Sequence, residues 1–351
     1  MRQVISGRLA AKADTLKANI PASAMTISVL GEALMDCVEQ PDGSLRPLMG
    51  GSPFNLARAA ALRGANVAYL NPLSTDKFGQ QLQTRLAQDG VQLPGGHSPR
   101  PTSLAVVQIY DGQPNYGFYR EGIADRDYTV DGVLALLADQ PPGVLHTGSL
   151  LLVPPEHHKV LAILRGAKAL GWTLSVDVNL RPRVGPDLAS YVRAVHEVAA
   201  LADWLKASDE DLAVLGFDRV QRNNSAHMAS HFSAQGATRV ALTFGANGAW
   251  LQVDGQSAEQ AAPAVTVVDT VGAGDTFWGN CLADWALAPA APAKRVSTTL
   301  RQAMHAAAIN CTRTGCQPPT QAELSRGGLH VKPSPSQLPV LGPTNLADPT
   351  Q

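Results

Sequence analysis

In Val267-Val268-Asp269-Thr270-Val271-Gly272-Ala273-Gly274-Asp275-Thr276-Phe277, a β-branched run breaks into glycines and a carboxylate, and an apolar-periodic segment follows. The order predicts a strand, a tight turn and a helix start. Where that helix opens, the N–H groups of Gly272, Ala273 and Gly274 lack intrahelical partners, and the helix dipole adds partial positive charge, so a phosphate is the natural ligand. Asp275 beside it would repel a phosphate unless it handles a proton or a metal ion. The pair points to phosphoryl transfer. A Walker A loop is excluded because Gly274 is followed by Asp275-Thr276 rather than Lys-Ser/Thr. A dinucleotide fingerprint is excluded because Phe277 stands where a third glycine belongs, late in the chain.

Composition narrows the partners. Of 351 residues, 45% are hydrophobic and 16% charged, which suits a soluble globular chain of one large or two average domains. Lys+Arg (28) balances Asp+Glu (29) for a net charge of −1, so there is no overall basic field for nucleic acid or an anionic membrane. The expected partner is a small molecule. No apolar run reaches the ~18 residues of a membrane span. Residues 1–24 are basic without a continuous apolar core, and read as a disordered leader rather than a secretory signal. Cys37, Cys281, Cys311 and Cys316 form no C-x-x-C pair and no disulfide scaffold, which fits a reducing cytoplasm. His157-His158 has no third ligand nearby and reads as a solvated helix surface.

From Thr26 onward, short β-branched runs alternate with helical patterns closed by glycine, the pattern of βαβ units and a mostly parallel sheet. Strands are expected at 26–30, 67–70, 174–178, 204–206, 240–244 and 265–268. Ser52-Pro53 reads as a helix cap and first residue, and Gly64, Gly90, Gly171, Gly216 and Gly236 as helix ends. Residues 36–50 and 98–122 break the rhythm as short strands around Asp42-Gly43 and Asp111-Gly112, and predict a small β flap beside the α/β body. Such a flap is suited to closing over a substrate and excluding water. Its exposed edge also offers a homodimer contact by strand pairing. The proline-rich residues 331–351 read as a mobile tail.

In open parallel sheets, ligands bind beyond the carboxyl ends of the strands. The residues that follow the expected strands are strongly biased: Gly31-Glu32 and Asp36, then Asn179 and Arg181, then Ser208-Asp209-Glu210-Asp211, then Gly245-Ala246-Asn247-Gly248. With Gly272–Asp275 they form one polar rim.

Two motifs give the rim a family likeness. Gly50-Gly51-Ser52-Pro53-Phe54-Asn55-Leu56-Ala57 and Asp269–Phe277 resemble the N- and C-terminal signatures of the ribokinase-like (PfkB) carbohydrate kinases, and the resemblance spans about residues 26–325. It implies a three-layer α/β/α sandwich with a mostly parallel central sheet and a small β-sheet lid, formed by about residues 36–50 and 98–122 on a domain of residues 25–330. It also implies ATP as phosphoryl donor, Mg²⁺, and often a monovalent cation such as K⁺. Asp275 is similar to the catalytic base that takes the proton of the attacking sugar hydroxyl, with Gly272, Ala273 and Gly274 as the anion hole. Asp36, Gly50, Gly51 and Asn55 match sugar-contacting positions. Thr243, Gly245 and Gly248 match the nucleotide-binding T-x-G-x-x-G, and Ala307 and Asn310 fall where members line the adenine pocket. Asp269 and the Val271 carbonyl match a monovalent-cation site. Ser208 and Asp211 stand where the family's Mg²⁺-linked element has Asn and Glu, so a water-mediated Mg²⁺ contact at Asp211 is expected, with Lys206 as a phosphate contact.

The stretches Gly31–Asp36, Tyr119–Asp125 and Asp177–Pro182 look most like the fructokinase branch, which implies D-fructose phosphorylated at its 6-hydroxyl, with Arg120 reaching the sugar from the lid. The Arg181 context also resembles 2-keto-3-deoxygluconate kinases, where an arginine meets a substrate carboxylate. Ribokinase activity and a non-catalytic sugar or nucleotide binder are the remaining alternatives.

Overall fold

Strands buried on both faces need apolar residues pointing both ways, and that is how the body of this protein is built. The structure is a computed structural model and describes residues 24–40, 42–110, 113–184, 187–217 and 219–326. The expected leader and tail therefore lie outside the described residues, apart from Ala24.

Among the described residues, fourteen strands form three sheets. The central sheet contains β1 (Ile27–Val29), β4 (Val67–Tyr69), β9 (Val144–Gly148), β10 (Thr173–Asp177), β11 (Trp204–Ser208), β12 (Arg239–Thr243), β13 (Ala249–Val253) and β14 (Gln256–Gln260). Its order is β14-β13-β12-β11-β10-β9-β1-β4. Neighbours from β4 through β12 run parallel, and β13 and β14 add an antiparallel edge. Apolar side chains collect in two clusters. One contains Leu174 and Val176 of β10 with Val133, Val160, Tyr191, Leu212 and Phe232 from five helices; the other contains Ile27 and Val29 with Phe54, Leu82, Trp278 and Leu300 from four more. A sheet between two helix layers is the expected three-layer α/β/α fold.

The second sheet has the order β3-β2-β7-β8, from β2 (Leu34–Glu39), β3 (Leu45–Gly50), β7 (Ser103–Tyr110) and β8 (Gln113–Tyr119). The two hairpins meet through a parallel β2–β7 pairing. At the first turn, Gly43 takes φ 80° and Asp42 Oδ1 accepts the Ser44 N–H at 2.9 Å. Residues 111–112, the second turn, lie outside the described residues. The third sheet pairs β5 (Leu73–Ser74) with β6 (His97–Ser98).

Two helices position the site. The helix Ser52–Leu62 is anchored by fully buried Phe54, Leu56 and Ala57, and the helix Ala273–Leu287 by Phe277, Trp278 and Trp285. They approach closely at Gly279, where a Cβ would come within 3.0 Å of that of Ala59. Truncating Phe54 or Trp278 would cost about 3–5 kcal/mol.

Four expectations need correction. The cap of the helix Ser52–Leu62 is Gly51, and Ser52 is its first residue. Residues 265–268 are not a strand: β14 already takes the sheet edge, and Val268 N–H bonds instead to the Cys311 carbonyl at a helix end, with Val267 and Val268 each 58% exposed. Strand β9 escaped the sequence reading because His146 and Thr147 interrupt its apolar run, although both are buried. His157 is buried rather than solvated, at the start of the helix His157–Ala169. All four cysteines are free. Among the described residues no helix is long and apolar enough to cross a membrane.

Candidate active site

A cleft of about 1010 Å³ opens between the carboxyl ends of the central strands and the second sheet. Asp275 lies in the first turn of the helix Ala273–Leu287, 7% exposed. Ser52 Oγ donates to its Oδ1 at 2.7 Å, and Asn55 Nδ2 donates to its Oδ2 at 2.9 Å. Burial raises the carboxyl above the ordinary range; the two hydrogen bonds, then Lys206 and Arg181, oppose that rise.

The glycine turn before Asp275 is tightly constrained. Gly272 is the helix N-cap at φ 73°, with no side chain capping the helix, and a Cβ there would collide with Cys316 Sγ. Ala273 N–H is held by the Thr270 carbonyl at 3.1 Å. Asp269 ties the loop on both sides, accepting Val271 N–H at 3.0 Å on Oδ1 and Gly315 N–H at 2.8 Å on Oδ2. Asn310, fully buried, donates Nδ2 to the Val271 carbonyl at 2.8 Å and accepts Gln317 N–H at 2.8 Å. Asn310 is thus a brace for the turn, and Ala307 packs against the apolar cluster; neither lines the cleft.

Beneath the turn, Lys206 Nζ bonds both oxygens of Asp177 at 2.8 and 2.9 Å and lies 3.3 Å from where a Gly274 Cβ would be. Burial disfavours this ammonium, but Asp177, Asp211 and Asp275 hold it protonated. Ser208 and Asp211 form a capping box. Asp211 accepts Leu180 N–H at 2.7 Å on Oδ1 and Ser208 N–H at 2.8 Å on Oδ2. Thr243 and Gly245 line the same cleft, whereas Gly248 does not. Gly248 takes φ 101° with a Cβ position filled by the Gln260 carbonyl, so its visible role is the turn into β13.

On the opposite wall, Asp36 of β2 lines the cleft, its carboxyl pushed up to about 6 by burial, with Arg181 lowering it and Asp275 and Asp269 raising it. A Cβ on Gly50 would collide with Asp36 Oδ2, so that glycine leaves room for the carboxylate. Gly51, at φ 105°, caps the helix Ser52–Leu62 and lines the cleft. Arg181 lines it too, with Nη1 bonded to Asn179 Oδ1 at 2.6 Å.

Arg120 lies outside this set. Only 8% exposed, it donates Nη1 to the Leu150 carbonyl at 3.2 Å and borders an adjoining cavity of about 740 Å³. Its charge stands near Glu32 and Asp125, which burial pushes up to about 7 and about 6 and which Arg120 pulls back. Sequence reasoning did not assign a role to Ser52 beyond capping, or to Asp177. The signal for Ser52 was its place between Gly51 and Asn55; a contact with a residue 223 positions away leaves no mark on local spacing.

The chain matches the pfkB family of carbohydrate kinases over residues 25–323. It is similar to a fructokinase of Rhizobium leguminosarum bv. trifolii, 34% identical over 258 residues, covering 72% of this chain and 77% of that protein. A fructokinase of Vibrio alginolyticus is 30% identical over 310 residues, covering 85% and 97%. Among solved structures, fructokinase with bound ATP from Xylella fastidiosa superimposes with a TM-score of 0.75 at 27% identity, covering 86% of this chain and 97% of that one. Fructokinase from Vibrio cholerae O395 with fructose, ADP and calcium ion bound gives 0.75 at 25% identity, covering 87% and 99%.

Proposed function

The chain belongs to the pfkB family of carbohydrate kinases, and we propose that it transfers the γ-phosphoryl group of ATP to the 6-hydroxyl of D-fructose, with Asp275 as general base. The observation that carries this reading is the Asp275 carboxylate, held by Ser52 and Asn55 at an uncapped helix start that faces the cleft. In a loose phosphoryl-transfer transition state the hydroxyl proton leaves late, so placement of the base matters more than its strength. With Ala273 N–H taken by Thr270, Gly272 and Gly274 N–H groups are the donors of the anion hole, each worth roughly 3–4 kcal/mol in comparable sites. Lys206 adds a buried positive charge beneath the transferring group.

Asp36, Gly51 and Asn55 form the sugar side, and the β2-β3-β7-β8 sheet is the lid that excludes competing water. Thr243 and Gly245 fit the nucleotide side. The same sheet exposes Tyr119 and Leu45, which suits a homodimer through the lid.

Among the described residues no cluster of three or more His, Cys, Asp or Glu is arranged to hold a metal. Asp211 would hold a Mg²⁺ carried on the nucleotide phosphates through a water, since its oxygens keep lone pairs beside the two backbone N–H groups. Bound there, Mg²⁺ would offset phosphate charge. Asp269 and the Val271 carbonyl fit K⁺ in the same sense, each oxygen keeping a lone pair beside its present donor.

One observation favours a second acceptor: Arg181 is exposed in the cleft wall, where a guanidinium suits the carboxylate of 2-keto-3-deoxygluconate. ADP formation with D-fructose, D-ribose and 2-keto-3-deoxygluconate tests the proposal. Turnover on fructose supports it, turnover on the keto-acid alone moves the substrate, and turnover on none refutes the kinase reading of the site.

A further inference from the structure

A serine at the N-cap of a helix turns its hydroxyl back to accept an N–H of the first turn. Ser52 stands one residue later, behind the Gly51 N-cap, and its hydroxyl turns elsewhere. Its Oγ donates across the cleft to Asp275 Oδ1 at 2.7 Å, while the helix Ser52–Leu62 carries no side-chain cap at all. Ser52 is itself immobilised. Its N–H is held by Glu32 Oε1 at 3.1 Å, and the following Pro53 fills the space that a side chain at Gly31 would need. The residue as a whole is only 7% exposed.

We propose that Ser52 is a positioning residue of the reaction: its hydroxyl, paired with the Asn55 amide on the other oxygen, fixes the plane of the Asp275 carboxylate and holds it in the ionised form that accepts the sugar proton. The inference rests on Asp275 being the base. A hydroxyl that donates to a carboxylate favours the charged form, so removing it makes Asp275 harder to ionise. The other groups around Asp275 divide by sign. Lys206 of β11 and Arg181 of the loop after β10 favour ionisation. Asp36 of β2 and Asp177 of β10 oppose it. The Cys316 thiol, pushed up to about 12 by burial and by Asp275, stays neutral. None of them bonds to Oδ1, so none replaces the Ser52 hydroxyl there.

The test is kcat, and KM for sugar and for ATP, in wild type, Ser52→Ala and Ser52→Thr across about pH 5.5 to 9. Ser52→Ala is expected to lose roughly tenfold in kcat near neutral pH and to move the acid limb of kcat/KM up by about one pH unit, with KM for ATP unchanged. Ser52→Thr, which restores a hydroxyl, is expected to return both within about twofold. Superimposable profiles for wild type and Ser52→Ala overturn the proposal. So does a loss that is uniform with pH or that threonine does not restore, because either assigns the side chain to packing. Should Ser52→Ala not fold, Ser52→Cys, a much weaker donor of similar size, carries the same expectation and the same contrary result. An inactive wild type is a distinguishable outcome, since it removes Asp275 as base and the Ser52 proposal with it.

Discussion

Two glycine turns meet in the cleft, and they are built alike but used differently. Each opens a helix, each has a glycine of positive φ at the N-cap, Gly51 at 105° and Gly272 at 73°, and neither helix has a side-chain cap. Each glycine also faces an obstacle to a Cβ, the Glu32 carbonyl for Gly51 and Cys316 for Gly272. The first turn sends side chains outward, Ser52 and Asn55, and both end on Asp275. The second contributes the carboxylate they hold, on a glycine turn that lines the cleft. Under the proposed function, one turn fixes the base, and the other supplies the base and the site for developing negative charge.

Changes to the two turns should separate these roles. The largest effect is expected at the carboxylate. Asp275→Asn should lower kcat by at least about a hundredfold with ATP affinity near wild type, measured by steady-state kinetics and calorimetric titration; turnover near wild type would remove the base from the second turn. Next is Gly272→Ala, which combines a left-handed backbone with a clash against Cys316 Sγ. It should destabilise the protein by about 1–3 kcal/mol and lower kcat more than tenfold. An unchanged melting curve would mean that the turn relaxes freely.

A smaller effect is expected at Asp36, the carboxylate that faces both turns from the lid. Its carboxyl sits at about 6 because of burial, so it gains a proton as pH falls through that value and stops acting as an anionic acceptor. KM for the sugar should therefore rise below about pH 6 in wild type, and Asp36→Asn should show a raised KM, about tenfold, without that pH dependence. A flat KM from about pH 5 to 8 in wild type would break the assignment. The smallest effect concerns stability. Burial raises Glu32 to about 7 and Asp125 to about 6, so these two carboxyls bind more protons in the fold than in the unfolded chain from about pH 4 to 7, partly offset by buried His146, which is lowered to about 3. Stability should fall modestly as pH rises through that window, measured by urea unfolding; a rise instead would show that these carboxyls are ionised in the fold.

Legibility in the sequence followed the physics of each feature. Strands β1, β4, β10, β11 and β12 were readable because burial on both faces demands β-branched or apolar runs, and the helix ends at Gly64 and Gly171 because both take a positive φ. Strand β9 was hidden by His146 and Thr147. Residues 265–268 misled because a β-branched run shows a preference for extended backbone, while pairing depends on which edge is free. Within the site, residues on a turn were legible and contacts across the cleft were not. The Asn310 amide bracing Val271, the Asp177–Lys206 pair and the retreat of Arg120 to the Leu150 carbonyl depend on packing between distant segments.

Under the proposed function, the first turn holds, and the second provides, the base for phosphorylating a sugar hydroxyl. ³¹P spectra of wild type and Asp275→Asn, each incubated with ATP and D-fructose, put this to the test. The predicted result is ADP and a phosphomonoester on the 6-oxygen with wild type, and almost none over the same interval with Asp275→Asn. Equal product from both proteins would remove Asp275 as the base, and no phosphomonoester from wild type would remove D-fructose as the acceptor.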